Sequence, residues 1–252
     1  MPAMSPAKDQ GPSLRHALRQ WWKDALARDG SGKTLVALMS IAWEFLREST
    51  PGRRKQRYGD IDYDWDYRVD TTGATISWRS RLIGLFNSPY QPTEPVLFRE
   101  MLGNLNLDFH EFTFIDIGSG KGRALLMAAD FPFRRVLGIE LLPDLHRIAE
   151  ENINSYHSDT QQCSKIESIC ADAREYELPA EALLLYLFNP LPETGLLQLL
   201  ENLERSIKEN PRPIILLYHN PLLEHVLAQN PVLEKLGGTQ QFSIYHARGT
   251  QS

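Results

Sequence analysis

The sequence predicts an α/β fold: a mostly parallel central sheet flanked by helices, preceded by an N-terminal helical extension. Three observations predict it. From residue 111 onward, β-type and helix-type patterns alternate along the chain. Two of the β-type runs, Ala182-Leu183-Leu184-Leu185-Tyr186-Leu187-Phe188 and Ile214-Ile215-Leu216-Leu217-Tyr218, are apolar throughout, as strands covered on both faces are. An apolar run over 112–117 breaks into glycines at 118, 120 and 122 just before a helical pattern begins. That is the strand, tight turn and helix N-terminus of a sheet that binds ligands at its carboxyl edge.

The elements follow in chain order. Residues 1–12, rich in Pro, Ala, Ser and Gly, read as a disordered tail. Leu14, Leu18, Trp21, Trp22, Ala25 and Leu26 recur at helical spacing over 13–29, with Ser13 as N-cap. Asp29-Gly30-Ser31-Gly32 reads as a turn, and a second helix covers 34–48 until Pro51-Gly52 stops it. Gly30-Ser31-Gly32-Lys33-Thr34 matches the end of a phosphate loop. That pattern also needs glycine at position 27, which is Ala, and a buried strand before it, so this is an interhelical turn. Asp60, Asp62, Asp64 and Asp66 alternate with Ile61, Tyr63, Trp65 and Tyr67. Period two predicts an extended segment with an aromatic face inward and an acidic face outward. Four carboxylates can bind a hard cation, but no glycine stands where a calcium loop turns sharply, and no metal is expected. Asp70-Thr71-Thr72-Gly73 reads as a turn, and a short helix covers 94–102.

The core then reads as strand 112–117, helix 122–130, strand 135–140, helix 143–156, strand 166–170, strand 182–188, helix 193–209, strand 213–219, helix 221–229 and strand 241–247. Pro143 opens its helix at a favoured N-terminal position. The expected organisation is a tail over 1–12, the extension with its aromatic and acidic segment over 13–84, and the catalytic-type domain over 85–252.

Composition narrows the function. A chain of 252 residues fits one large domain, or one with an extension, and a hydrophobic share of 42% is enough for a core. The net charge of −5 speaks against a general nucleic-acid binder. Residues 1–58 carry 11 Lys+Arg against 5 Asp+Glu, whereas the rest carries 16 against 27. The basic excess ends in Arg53-Arg54-Lys55-Gln56-Arg57, a solvated run or a docking patch for an acidic partner. No separate nucleic-acid-binding module is visible. Cys163 and Cys170 are the only cysteines and form neither a C-x-x-C pair nor a disulfide framework, which fits a reducing, cytoplasmic setting. Residues 1–12 lack a signal-peptide apolar region. The longest apolar stretch, 35–46, includes Ser40 and Glu44 and falls short of the roughly 20 residues a bilayer requires.

Chemistry is concentrated at the strand ends: Asp116-Ile117-Gly118, Glu140-Leu141, Cys170-Ala171-Asp172-Ala173, Phe188-Asn189-Pro190-Leu191-Pro192 and Tyr218-His219-Asn220-Pro221. Ligands of such sheets sit beyond those ends. The glycines let the backbone turn sharply and approach a ligand, and the helix that follows offers unpaired N–H groups and a positive dipole end. Glu140, at the tip of the second strand, is placed to accept from both hydroxyls of a ribose. The glycine spacing is not that of a dinucleotide site: G-x-G-x-x-G puts its third glycine at 123, which is Arg, and Asp116 directly before the loop serves a pyrophosphate poorly. A glycine-rich turn with no ligand leaves the two acids unexplained.

D-x-G-x-G-x-G followed by an acid after the second strand resembles motifs I and II of the class I S-adenosylmethionine (SAM) methyltransferases, with their Rossmann-like fold, over roughly residues 90–220. The resemblance implies SAM as cofactor, a ligand with a sulfonium, an amino-acid group, a ribose and an adenine but no phosphate. It implies that Gly118, Ser119, Gly120 and Gly122 line the methionine part, that Asp116 holds its amino group, and that Glu140, beside Leu141, takes the ribose hydroxyls. Asp172 matches the position that accepts from the adenine amino group, with Ala173 beside the ring. Desolvating these polar groups requires acceptors at those points.

Asn189-Pro190-Leu191-Pro192 resembles motif IV, [DNS]-P-P-[YFW], of enzymes that methylate nitrogen, where the Asn side chain and the next carbonyl hold the target amine. Leu191 and Pro192 depart from it, and Asn-Pro is also an ordinary strand ending. Upstream, Tyr90-Gln91-Pro92-Thr93 with Asp116 to Arg123 is similar to the SAM-covering loop and motif I of the Dot-type histone-lysine methyltransferases and related mitochondrial protein-lysine methyltransferases. This resemblance implies that Tyr90 and Thr93 close over SAM; a Pro-rich loop before a helix is the plainer reading.

Methyl transfer needs alignment and desolvation more than acid–base work. A neutral amine must face the methyl, and His219, Tyr218 or Tyr186 can accept a proton or orient the acceptor, although a lone His at a strand end is often structural. The expected function is N-methylation of a protein side chain, lysine favoured, with a small-molecule acceptor or a non-catalytic SAM-binding protein as alternatives. The catalytic candidates are Asn189, Pro190 and His219; the cofactor-binding candidates are the residues named above together with Asn189. The extension carrying Trp21, Trp22 and Trp43 reads as a lid or partner surface. The acceptor and the oligomeric state are left open.

Overall fold

The computed structural model describes residues 14–48, 61–72 and 92–247. The tail 1–12, the basic run 53–57, Gly73 and Tyr90 lie outside the described residues. Helix α1 (Leu14–Glu48) contains one non-helical residue, Gly30, with φ 74° and ψ 168°. Two helices were expected around a four-residue turn; the break is this single glycine, the residue able to take positive φ without strain. Thr34 then donates its hydroxyl to the Gly30 carbonyl at 2.8 Å.

The segment expected to be extended is instead a helix, α2 (Ile61–Tyr67). The aspartates that suggested alternation favour a helix start: Asp62 and Asp64 lie in its first turn, at the positive end of the helix dipole. Tyr63 and Tyr67, four residues apart, touch at 4.6 Å between ring centroids. Tyr63 and Tyr67 share a half-buried face, whereas Trp65 is exposed.

Helix α3 (Pro95–Gly103) and a short 3-10 turn (Phe109–Glu111) lead into the core. There β1 (Thr113–Ile117), α4 (Arg123–Ala128), β2 (Arg135–Glu140), α5 (Pro143–Ser155), β3 (Ile166–Cys170), β4 (Leu183–Phe188), α6 (Glu193–Glu209), β5 (Ile214–His219) and α7 (Glu224–Ala228) follow the expected alternation. Strand β6 (Leu233–Gly238) was not expected; β7 (Phe242–Ala247) was. The seven strands form one sheet in the order β3-β2-β1-β4-β5-β7-β6. Pairings from β3 through β5 are parallel, and β7 is antiparallel to both β5 and β6. The mostly parallel Rossmann-like sheet is therefore as expected, with its switch point between β1 and β4.

Period two divides the central strands between two cores. Ile115, Ile117, Leu185, Leu187 and Leu216 pack with Leu196, Leu199 and Leu203 of α6 on one face. Phe114, Leu184, Tyr186 and Leu217 pack with Phe98 and Met101 of α3 and Leu125 of α4 on the other. Both faces are covered, which is why the strands read as unbroken apolar runs.

Candidate functional site

The second of these faces turns polar at its carboxyl edge. Asp116 pairs in register with Gly138 of β2 and Tyr186 of β4, and Tyr186 pairs with Leu217 of β5. Side chains two residues on keep the same face, so Asp116, Glu140, Tyr186 and His219 all project to one side of the sheet at the switch point.

Asp116 is 4% exposed, and no hydrogen bond or ion pair engages its carboxylate among the described residues. Burial, and then the nearby charge of Glu140, push its pKa well above the usual carboxylate range. Glu140 is equally deep but well supplied. Its Oε2 accepts from Gly120 N at 2.7 Å and its Oε1 from Leu142 N at 2.8 Å. Burial raises its pKa, and the amides of Leu142, Gly120 and Leu141 oppose that rise. Leu141 thus contributes its backbone to the Glu140 carboxylate.

The glycine loop between β1 and α4 takes the shape the glycines allow. Gly118, Gly120 and Gly122 have φ of 78°, 56° and 84°. A Cβ on Gly118 would lie 2.6 Å from Pro190 Cβ, so loop and Asn189-Pro190 turn are in direct contact. The Ser119 side chain is buried with no hydrogen-bond partner among the described residues. Its place is made by Gly138, where a Cβ would lie 2.6 Å from Ser119 Oγ. A carboxylate and a hydroxyl without partners among the described residues, together at the glycine loop, form a set of groups that fits a cationic, hydrogen-bonding ligand.

Asp172, beyond β3, is held by Arg174, which donates from its backbone and Nε at 3.0 and 2.8 Å and closes an ion pair through its guanidinium. Burial opposes the Asp172 charge, but the hydrogen bonds and charge of Arg174 outweigh it and hold the carboxyl below its ordinary range. Ala173 beside it is buried. Asn189 ends β4 with φ 44°, a left-handed conformation that Asn tolerates and that clusters at functional sites. Its Oδ1 accepts from the Tyr218 hydroxyl at 2.8 Å.

His219 is buried, its ring stacked on Phe188 at 3.9 Å, and burial lowers its pKa to about 4. Its Nδ1 lies 2.7 Å from the Tyr186 hydroxyl, which lies 2.9 Å from Thr93 Oγ1. Thr93 is thereby tied to the sheet, whereas its companion Tyr90 is outside the described residues.

Two functional-looking side chains went unread in the sequence. Lys121 is fully buried, with Nζ 2.8 Å from Asp70 Oδ1 and 2.6 Å from the Thr72 carbonyl. Arg123, 2% exposed, donates from Nε to Thr71 Oγ1 at 2.6 Å, reaches Asp64 Oδ1 at 3.3 Å and lies over the Tyr63 ring at 4.8 Å. The available signal is Lys121 inside the glycine loop and Arg123 directly after it, with apolar residues following; of the aspartates that answer them, Asp64 falls on the expected outward face and Asp70 in the expected turn.

No protein-family model matches the chain, and no curated protein matches it. Solved structures similar in fold include an RNA methyltransferase from Salinibacter ruber in complex with S-adenosyl-L-homocysteine. It is 20% identical, with 64% of this chain and 95% of that chain covered and a TM-score of 0.44. A predicted N6-adenine-specific DNA methylase from Listeria monocytogenes is 14% identical, covers 64% of this chain and 53% of its own, and has a TM-score of 0.46. A ribosomal protein L11 methylase from Lactobacillus delbrueckii subsp. bulgaricus is 17% identical, with 61% and 76% covered and a TM-score of 0.40. Among the described residues, no helix is long and apolar enough to cross a membrane.

Proposed function

We propose that the chain is a SAM-dependent methyltransferase acting on nitrogen. The observation that carries this reading is the buried Asp116 carboxylate, without a partner among the described residues, at the mouth of a three-glycine loop. Such a group is costly unless a cation meets it. Asp116 is assigned to the amino group of SAM, the loop 118–122 with Ser119 to its amino-acid end, Glu140 beside Leu141 to the ribose, and Asp172 with Ala173 to the adenine. Thr93 and Tyr90 are assigned to the cover. When bound, SAM supplies a methyl group already activated by its sulfonium.

What remains for the chain is to align and desolvate the acceptor. Asn189 Oδ1 and the Pro190 carbonyl are assigned to hold the acceptor nitrogen. At pH 7 His219 is neutral, because burial lowers its pKa to about 4, so it orients the acceptor and is a weak base. The favoured acceptor is a protein lysine, by the similarity of Tyr90-Gln91-Pro92-Thr93 and Asp116 to Arg123 to the lysine methyltransferases; a small-molecule amine is the second reading.

The test is a thermal-shift comparison of S-adenosylhomocysteine, SAM, NAD and ATP, followed by transfer from labelled SAM to unmodified protein and to small-molecule fractions. A ligand at a hundred times its dissociation constant stabilises by about 2.7 kcal/mol, roughly 2–4 °C per kcal/mol at this size. A shift with S-adenosylhomocysteine and SAM alone is expected. A shift with NAD only, or none, removes the reading; label confined to small molecules removes the lysine assignment.

A further inference from the structure

The glycine loop has few side chains with which to hold itself. Its three glycines carry none, and the Ser119 hydroxyl finds no partner among the described residues. On the β2 side it is fixed by the Gly120 amide on Glu140 and by the Gly118 and Ser119 amides on the Ile139 carbonyl at 2.8 and 3.1 Å. On its other side, fixation comes from far away in sequence. Lys121 reaches Asp70 and the Thr72 carbonyl; Arg123 reaches Asp64 and Thr71. Asp64 in turn accepts from the amides of Thr71 and Thr72 at 2.8 and 2.9 Å, which closes the end of α2 into a compact unit. Asn152 of α5 joins the two parts: its Nδ2 donates to the carbonyls of Asp70 and Lys121 at 2.8 and 2.9 Å, and its Oδ1 accepts from Asp70 N at 2.7 Å. Two buried cations paired across this contact oppose separation of the two parts, which would expose a charge or strand one.

We propose that residues 61–72 are a brace for the glycine loop, that Lys121, Arg123 and Asn152 are positioning residues acting through it, and that brace docking and cofactor binding are coupled. The inference rests on the SAM assignment for its ligand, and on the contacts alone for the brace. Coupling is reciprocal: if a docked brace orders the loop for the ligand, the ligand must tighten the brace by the same factor. A scaffold that merely packs against the domain has no such obligation.

The test is hydrogen–deuterium exchange on the whole chain with and without S-adenosylhomocysteine, for wild type and Asp70→Asn. Asp70→Asn is chosen because its side chain is 40% exposed and Lys121 keeps the Thr72 carbonyl, so the fold survives; unchanged exchange in β4 and β5 verifies that. Expected are slower exchange in both 118–122 and 61–72 on adding ligand, faster exchange at 118–122 in the ligand-free variant, and ligand affinity about tenfold weaker in the variant, or 1.4 kcal/mol. Ligand protection of 118–122 with no change over 61–72, together with wild-type affinity in Asp70→Asn, overturns the brace. If wild type binds no S-adenosylhomocysteine, the cofactor assignment fails instead. The brace is then judged on the ligand-free comparison, where equal exchange at 118–122 in both proteins overturns it.

Discussion

The Tyr186 hydroxyl and His219 Nδ1 lie 2.7 Å apart on neighbouring strands, inside the core face that carries Asp116. Burial raises the Tyr186 pKa well above its ordinary value, so it stays a phenol, and burial lowers that of His219 to about 4, so it stays a neutral imidazole. A His of folded pKa near 4 and unfolded pKa near 6.5 adds stability that is complete above about pH 6.5 and is lost as pH falls toward 4. The loss from this residue is about 3 kcal/mol at most. Asp116 and Glu140 act in the opposite sense, since their folded pKa values are raised and acid relieves them. Denaturant titrations of wild type and His219→Gln from pH 7 to 4.5 separate the two effects. Stability of the variant should fall less steeply; parallel curves would show that His219 is not the titrating group.

Asp116 and Glu140 look alike in the sequence and differ in the structure, and their variants should differ accordingly. Asp116 has no donor among the described residues, and its raised pKa means the charge is a liability to the ligand-free fold at neutral pH. Asp116→Asn should therefore raise the melting temperature without ligand while weakening S-adenosylhomocysteine by about tenfold or more, at least 1.4 kcal/mol. Glu140 holds the Gly120 and Leu142 amides, so Glu140→Ala should lose both binding and about 1–3 kcal/mol of stability, from buried donors left unpaired. Calorimetric titration with melting curves decides it; a destabilised Asp116→Asn with wild-type affinity would refute the assignment of this carboxylate to a cation.

What the sequence revealed and what it hid follow from range. Strands β1, β2, β4 and β5 were legible because burial on both faces leaves a local mark, an apolar run such as Leu183 to Phe188. Strand β6 left none: Glu234 and Lys235 sit exposed on the edge strand, Leu236 is exposed, and Gly237-Gly238 interrupts any pattern. The α2 segment misled because eight residues of alternation also fit two helical turns, and its decisive contacts, Asp64 with Arg123 and Tyr63 beneath the same guanidinium, cross about sixty positions. The strand-end acids were readable one by one; that Asp116 stands without a donor among the described residues while Glu140 accepts from backbone amides depends on tertiary placement of the loop.

Gly138 gives a test of that placement away from the charges. It lies on β2 opposite Asp116, and a Cβ there would meet Ser119 Oγ and Leu125 Cδ1, each at 2.6 Å. Leu125 belongs to α4, so a methyl group at 138 pushes both loop and helix away from the sheet. Gly138→Ala should cost about 1–3 kcal/mol by overpacking, read from denaturant midpoints at unchanged m-value. A neutral effect would mean that Ser119 and Leu125 move aside freely and that the loop is not held in one position.

Asn189 separates binding from transfer. It sits in left-handed backbone at the end of β4, its Oδ1 fixed by the Tyr218 hydroxyl and the following Pro190 pressed on Gly118. The Pro190 contact belongs to the loop, whereas the Asn189 side chain is the one assigned to the acceptor. Asn189→Ala should leave S-adenosylhomocysteine affinity within about twofold, under 0.5 kcal/mol, and reduce single-turnover methyl transfer by about a hundredfold or more, at least 2.7 kcal/mol of transition-state stabilisation. Tyr218→Phe, which removes only the hydrogen bond that orients Asn189, should fall between the variant and wild type in rate and match both in affinity. Parallel loss of affinity and rate in Asn189→Ala would place this side chain in cofactor binding, and full transfer activity would move acceptor recognition elsewhere on the strand ends.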